Sequence, residues 1–152
     1  MVCPSSLVSN WANEFDKWIG KACQPKRVVI TKGGEENCNR RVTALKNHPL
    51  GHVWILSYEL FRRNTTAFSS IKKFSLLAVD EGHRLKNTSG CLTISTLKSL
   101  SSEARLCITA TPIQNNLSEF YSLADFVCPG ILGDLPTFKK GRNNATFFPS
   151  FL

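Results

Sequence analysis

Two neighbouring carboxylates, Asp80 and Glu81, follow the apolar run Phe74–Val79 and precede Gly82 and His83. If that run is a strand, the pair stands at the rim of a sheet, and open α/β sheets bind ligands beyond the carboxyl ends of their strands. An Asp there offers hard oxygen ligands to Mg²⁺, directly or through water. A Glu beside it can orient and polarise water, and the two together suit metal-assisted phosphoanhydride hydrolysis. The same tetrapeptide also fits an ordinary solvated loop after a strand. His83 taken alone is a loop histidine bonded to backbone; beside two carboxylates it becomes a candidate coupling residue.

Twenty-nine residues after Asp80, the segment Thr109-Ala110-Thr111-Pro112-Ile113-Gln114-Asn115-Asn116 closes the next apolar run. Small hydroxyl side chains at a strand end can hydrogen-bond the preceding carboxylate–histidine loop. Pro112 stiffens the turn, and Asn115 or Asn116 can cap the helix that follows. Ser5 and Ser6 put hydroxyls and backbone N–H groups at a helix start, which suits a phosphate. Tyr58 with Arg62, Arg63, Lys72 and Lys73 makes a basic stretch carrying an aromatic. That stretch reads either as a DNA contact or as a flexible solvated loop. Arg84 and Lys86 could reach DNA or a partner lobe.

These residues need a scaffold, and the hydrophobic pattern supplies one. Lys26–Thr31, Val53–Ser57, Phe74–Val79 and Arg105–Thr109 read as strands, most of them apolar on both alternations and so buried on both faces. Met1–Cys3 resembles the tail of another strand. Ser5–Ile19 is the clearest helix, with Leu7, Val8, Trp11, Phe15, Trp18 and Ile19 on one stripe, Ser5 or Ser6 as cap and Gly20 after its end. The spacing assigns those aromatics to the core. Glu35–Asn47, Ser89–Leu100 and Asn116–Val127 complete the helices, the last with Leu117, Phe120, Tyr121, Leu123 and Ala124 inward. Strand–helix alternation with buried strands predicts an α/β fold, a parallel sheet with flanking helices on both faces.

The 152 residues are 42% hydrophobic and 20% charged, a composition that builds one globular domain and excludes dominant disorder. No apolar run is long enough to span a membrane, and no secretory signal pattern opens the sequence. Residues 1–76 hold twelve basic and five acidic side chains, whereas 77–152 hold seven and six. The positive first half points to a polyanion, nucleic acid first, or to a solvated basic surface. Six cysteines lie at least fifteen residues apart, which excludes zinc-site spacing and reads as reduced thiols. His48 and His52 sit in a turn and look structural.

Asp80–Asn87 (DEGHRLKN) and Thr109–Phe126 (TATPIQNNLSEFYSLADF), with Pro4–Trp18 and Ser57–Phe61, closely resemble the Swi/Snf class of helicase-like ATPases of superfamily two. Gly82 in the acidic box and Pro129-Gly130-Ile131-Leu132-Gly133 bring the resemblance nearest to the recombinational-repair branch. The resemblance implies a RecA-like (P-loop NTPase) first lobe of a two-lobed motor that uses ATP and Mg²⁺. It implies that Asp80 holds the metal and that Glu81 acts on the attacking water. His83, Thr109, Thr111 and Gln114 would couple nucleotide state to DNA contact. The Pro4–Ser6 turn, with Ser5 and Ser6, and the Ser57–Glu59 segment, with Tyr58, would line the DNA-facing side; independently of the resemblance, the charge of Arg62 and Arg63 supports the same face. The partners implied are double-stranded DNA and a strand-exchange recombinase, with no membrane, in the nucleus. A nucleosome-remodelling ATPase of the same class and a non-catalytic DNA- or partner-binding module are the rival readings.

The phosphate-cradling pattern G-x-x-x-x-G-K-[ST] does not occur in the sequence, and Gly33-Gly34 is the closest glycine pair. The expected fold is therefore a partial RecA-like lobe lacking the phosphate-loop strand, over residues 1–138. Residues 139–152 read as a divergent, disordered tail. The chain reads as a segment that starts downstream of the loop and stops before the second lobe. In isolation it is expected to be of low thermal stability and inactive towards ATP.

Overall fold

A computed structural model describes residues 1–19, 26–30, 35–46, 52–71, 73–82, 88–110 and 117–141. Five strands form: β1 (Val2–Cys3), β2 (Lys26–Ile30), β3 (His52–Ser57), β4 (Phe74–Asp80) and β5 (Ser102–Ile108). They make one all-parallel sheet in the order β2-β3-β1-β4-β5. Two residues suffice for β1 because it lies between neighbours, with Val2 opposite both Leu56 and Val79. β5 begins earlier than its apolar run suggests. The pairing of Phe74 with Ser102 and Leu76 with Ala104 draws polar and small residues into the ladder.

The helices are α1 (Val8–Ile19), α2 (Glu35–Lys46), α3 (Tyr58–Arg63), α4 (Thr65–Ser69), α5 (Thr88–Ser99), α6 (Leu117–Val127) and α7 (Leu135–Gly141). A 3₁₀ turn, Ser5–Leu7, leads into α1. Parallel strands need right-handed crossovers, so the direction of each crossover decides which face its helix covers. From β1 to β2 the chain moves one way across the sheet. From β2 to β3, β3 to β4 and β4 to β5 it moves the other way. The larger core gathers Cys38 and Val42 of α2, Phe61 of α3, Phe68 of α4, Leu97 of α5 and Phe126 of α6 on one face, against Val2, Leu56, Leu77 and Val79. On the opposite face α1 packs Val8 and Ala12 against Cys3 and Ile55.

Five sequence expectations change. The strands are not all buried on both faces: among the described residues α1 alone covers its side, and it lies over β3 and β2. Leu76 of β4 and Leu106 of β5 are 52% and 45% exposed as a result. Trp18 keeps its helical phase but is 76% exposed, because periodicity assigns a face without supplying anything to cover it. Its indole donates to Glu14 and its ring lies under Lys17. On α6, Phe120 and Tyr121 meet Phe138 of α7, while Leu123 and Phe126 are the residues buried in the core. α7 carries helix through Gly141, past the boundary read at residue 138, and Asp134 accepts from Thr137 N–H at its start. The part of the basic stretch from Arg62 to Ser69 is also not a loop. α3 and α4 meet at Asn64, which is buried and donates its amide to the Leu60 carbonyl.

Arg105 ties two helices to the sheet. Its guanidinium donates to the Lys98 and Leu100 carbonyls at the end of α5, to the Phe126 carbonyl at the end of α6, and to Ser102 Oγ. Its carbon centre stands 5.5 Å from the Phe126 ring. Helix carbonyl ends lack intrahelical donors, and a planar fork answers several at once. Arg105→Ala is expected to lower unfolding stability by about 2 kcal/mol. Arg105→Lys should recover little of that loss. Chemical denaturation should show a lower midpoint with an unchanged slope.

Asp125 sits beside this clip. The Gly130 N–H, then the Lys98 side chain, hold its carboxyl below the ordinary 3.8, against a smaller upward push from burial. A depressed carboxyl stabilises the fold above its unfolded value, and that contribution disappears as pH falls through the folded value. Asp125→Asn should therefore be less stable than the parent at neutral pH. It should also lose less stability on acidification below pH 3.8, as read from paired pH–denaturation curves.

Candidate functional site

The crossovers change direction between β1 and β4, and the crevice beyond the carboxyl ends of these strands is where parallel α/β sheets place ligands. Four chain segments leave the sheet at that rim: Pro4–Ser6 after β1, Ser57–Tyr58 at the end of β3, Asp80–Gly82 at the end of β4, and Thr109 after β5. Register sets Asp80 opposite Ile108, so Thr109 is the next residue beyond the acidic strand end on the neighbouring strand. His83, Thr111 and Gln114 lie outside the described residues.

Asp80 is 7% exposed and is held from three directions. Its Oδ1 accepts the Glu81 N–H at 2.8 Å, and its Oδ2 accepts the Trp11 indole N–H at 2.8 Å. Its carbonyl accepts the Tyr58 hydroxyl at 2.6 Å. A carboxylate has about four acceptor positions, so each oxygen keeps capacity for a cation. No cluster of three or more His, Cys, Asp or Glu side chains fit for a metal exists among the described residues. A lone carboxylate suits Mg²⁺, which takes one or two carboxylates and completes its shell with water and phosphate oxygens.

Glu81 takes a left-handed backbone at φ 53°. A non-glycine residue there costs on the order of 1 kcal/mol, and the bond from its N–H to Asp80 helps hold it. Gly82 is the position that tolerates no side chain. A Cβ there would overlap Cys107 Sγ and stand 3.2 Å from Leu123 Cδ2. Burial first, then the Asp80 charge, push the Cys3 thiol up to about 11 and raise the Cys107 thiol above its ordinary value. Both thiols thus border the acidic box as neutral, apolar packing groups.

The remaining sequence candidates separate. Ser5 and Ser6 are exposed at the rim, but neither hydroxyl caps the helix. Pro4 occupies the cap position and its carbonyl accepts the Leu7 N–H at 2.9 Å. Tyr58 is not placed as a surface DNA contact: it is buried, and its hydroxyl is spent on Asp80. Ser57, whose Oγ accepts the Leu60 N–H, caps α3 and aims Tyr58 inward. Arg62 is half-buried and Arg63 exposed in the last turn of α3. Lys73 pairs with Glu103 at 3.0 Å, and Lys72 lies outside the described residues. Trp11 and Cys107 were the contacts that sequence reasoning missed. Both carry apolar spacing that explains them as core, and only the folded register brings them to Asp80 and Gly82.

Residues 1–146 match the SNF2-related domain. The chain belongs to the SNF2-related family. It is 44% identical over 140 residues to the DNA repair and recombination protein RAD54B of Gallus gallus, covering 92% of this chain and 14% of that one. It is 39% identical over 153 residues to the DNA repair and recombination protein RAD54 of Saccharomyces cerevisiae, covering 95% and 17%. The RAD54-like protein of Homo sapiens is 40% identical over 144 residues, with 92% and 19% covered. The SNF2-related chain thus spans less than a fifth of the length of these relatives. The Sulfolobus solfataricus SWI2/SNF2 ATPase core, solved in complex with dsDNA, superposes with a TM-score of 0.66 at 23% identity. That match covers 91% of this chain and 26% of that one, and gives the α/β sheet its RecA-like fold.

Gly82→Ala in this SNF2-related chain is expected to destabilise it by about 1–3 kcal/mol, because the added methyl must displace a packed sulfur. Cys107→Ala removes that sulfur. The double variant should therefore be more stable than the sum of the two single losses. Strictly additive thermal melts would show that the two residues do not meet.

Proposed function

We propose that this SNF2-related chain is part of an ATP-dependent double-stranded DNA translocase acting in homologous-recombination repair in the nucleus. The observation that carries the reading is the Asp80–Glu81 pair at the carboxyl rim of β4, beside the exposed Ser5–Ser6 turn at the point where the crossovers reverse. Asp80 would hold the Mg²⁺ of Mg-ATP, which when bound supplies charge neutralisation on the phosphates. Glu81 would orient the attacking water. Ser5 and Ser6 would contact DNA phosphates, and Arg62 and Arg63 would strengthen attraction to the duplex. Thr109, with His83, Thr111 and Gln114, would connect the two activities. The relatives named for DNA repair and recombination favour this branch, and by the same likeness a strand-exchange recombinase is the proposed partner.

The sequence contains no G-x-x-x-x-G-K-[ST] loop to cradle phosphates, and positioning accounts for most of phosphoryl-transfer catalysis. These 152 residues alone are expected to turn over ATP at no useful rate. Robust DNA-stimulated hydrolysis that disappears in Glu81→Gln would overturn that expectation.

Contacts made through phosphates release counterions, so duplex affinity should fall steeply with salt and vary little with base sequence. Losing both contacts in Arg62→Ala/Arg63→Ala should flatten the log–log salt slope by roughly 2. Fluorescence anisotropy on duplexes of differing sequence measures both quantities. A strong preference for one base sequence, or a slope indifferent to the double substitution, would contradict the proposed DNA face.

A further inference from the structure

Trp11 contributes to the site a polar atom to which the roles above give no work. An indole N–H is a donor only: it cannot ligate a cation, accept a proton or act as a base. Its position is nevertheless specific, 2.8 Å from Asp80 Oδ2, on a carboxylate whose other oxygen is already held by the Glu81 N–H. The bond crosses from α1 to the end of β4, joining elements 69 residues apart in sequence. Trp11 also stands early in α1, which continues without a break from the Ser5–Leu7 turn. Trp11 lies six positions after Ser5, a rise of about 10 Å along one continuous 3₁₀–α rod. Val8 and Ala12 clamp that rod to Cys3 and Ile55. The path from the Asp80 carboxylate to the exposed serines is therefore a single side chain and under two turns of helix.

We infer that Trp11 is a positioning residue: its indole sets the Asp80 carboxylate orientation and ties the state of the metal-holding group to the Ser5–Ser6 turn. The link runs in both directions, because coupling between two binding sites is reciprocal. This role depends on Asp80 being the metal-holding carboxylate proposed above.

Mg²⁺ alone, titrated into the full ¹⁵N-labelled chain at millimolar concentration and followed by NMR, tests it. The Trp11 indole signal is expected to shift saturably while that of Trp18 stays fixed, and the Ser5 and Ser6 amides should follow the same curve. Trp11→Phe keeps the ring and removes the donor. It should weaken Mg²⁺ binding several-fold and abolish the Ser5 and Ser6 shifts. Unchanged affinity with those shifts intact would remove the role from Trp11 while leaving Asp80 as the metal group. No saturable shift in the parent chain, or one that survives Asp80→Ala, would overturn the metal reading and the role of Trp11 with it. Should Trp11→Phe fail to fold, indole hydrogen exchange in the parent chain decides. Protection of the Trp11 N–H that changes with Mg²⁺ supports the role, and protection that ignores Mg²⁺ overturns it.

Discussion

A carboxylate almost closed off from water has to be answered by donors, and the structure around Asp80 is organised by that requirement. Two donors reach the carboxylate, the backbone of Glu81 and the indole of Trp11 on α1, and the hydroxyl of Tyr58 at the start of α3 holds the carbonyl of the same residue. Each brings its own element with it. Tyr58 is in place because Ser57 caps α3 at the end of β3. Trp11 is in place because β1 lies between β3 and β4 and launches α1 over that rim. The acidic strand end is thus a junction for one helix from each face of the sheet.

The crossover pattern explains both the site and the uneven cover of the sheet. One crossover among the described strands runs opposite to the other three, and handedness puts its helix on the opposite face. The reversal falls beside the strand end that carries Asp80. Among the described residues it also leaves α1 without a companion on its face, so Leu76 and Leu106 stay exposed, diagonal to each other on β4 and β5. β5 forms one edge of the described sheet and carries a row of backbone groups able to pair with a further strand.

The acidic box itself joins strain and close packing. Glu81 holds a left-handed backbone, and Gly82 lets the chain pass directly over Cys107 of the adjacent strand. Pairing of Val79 with Cys107 and of Asp80 with Ile108 fixes that approach. A side chain at residue 82 would have to displace the Cys107 sulfur beside the point where Asp80 and Ile108 pair. The glycine is therefore a condition of the geometry of the rim.

Local pattern in the sequence determined the type and order of β2 to β5 and of α1, α2, α5 and α6, and which residues follow the strand ends, but not α3, α4 or α7. Apolar runs short enough for strands alternate with helical stripes, and Asp80–Glu81 and Thr109 follow such runs wherever the strands finally lie. Those signals are local, and they were legible. What covers a face is not local. Trp18 and Trp11 share a helical stripe, yet one is exposed and the other binds Asp80, because only one of them has a strand end beneath it. Tyr58 looks like a surface aromatic among basic residues until the β3–β1–β4 order turns it towards the Asp80 carbonyl. The same holds for Gly82 and Cys107, whose contact exists only through the register of two parallel strands. Periodicity reports which side of an element is apolar; strand order and crossover hand decide what that side meets.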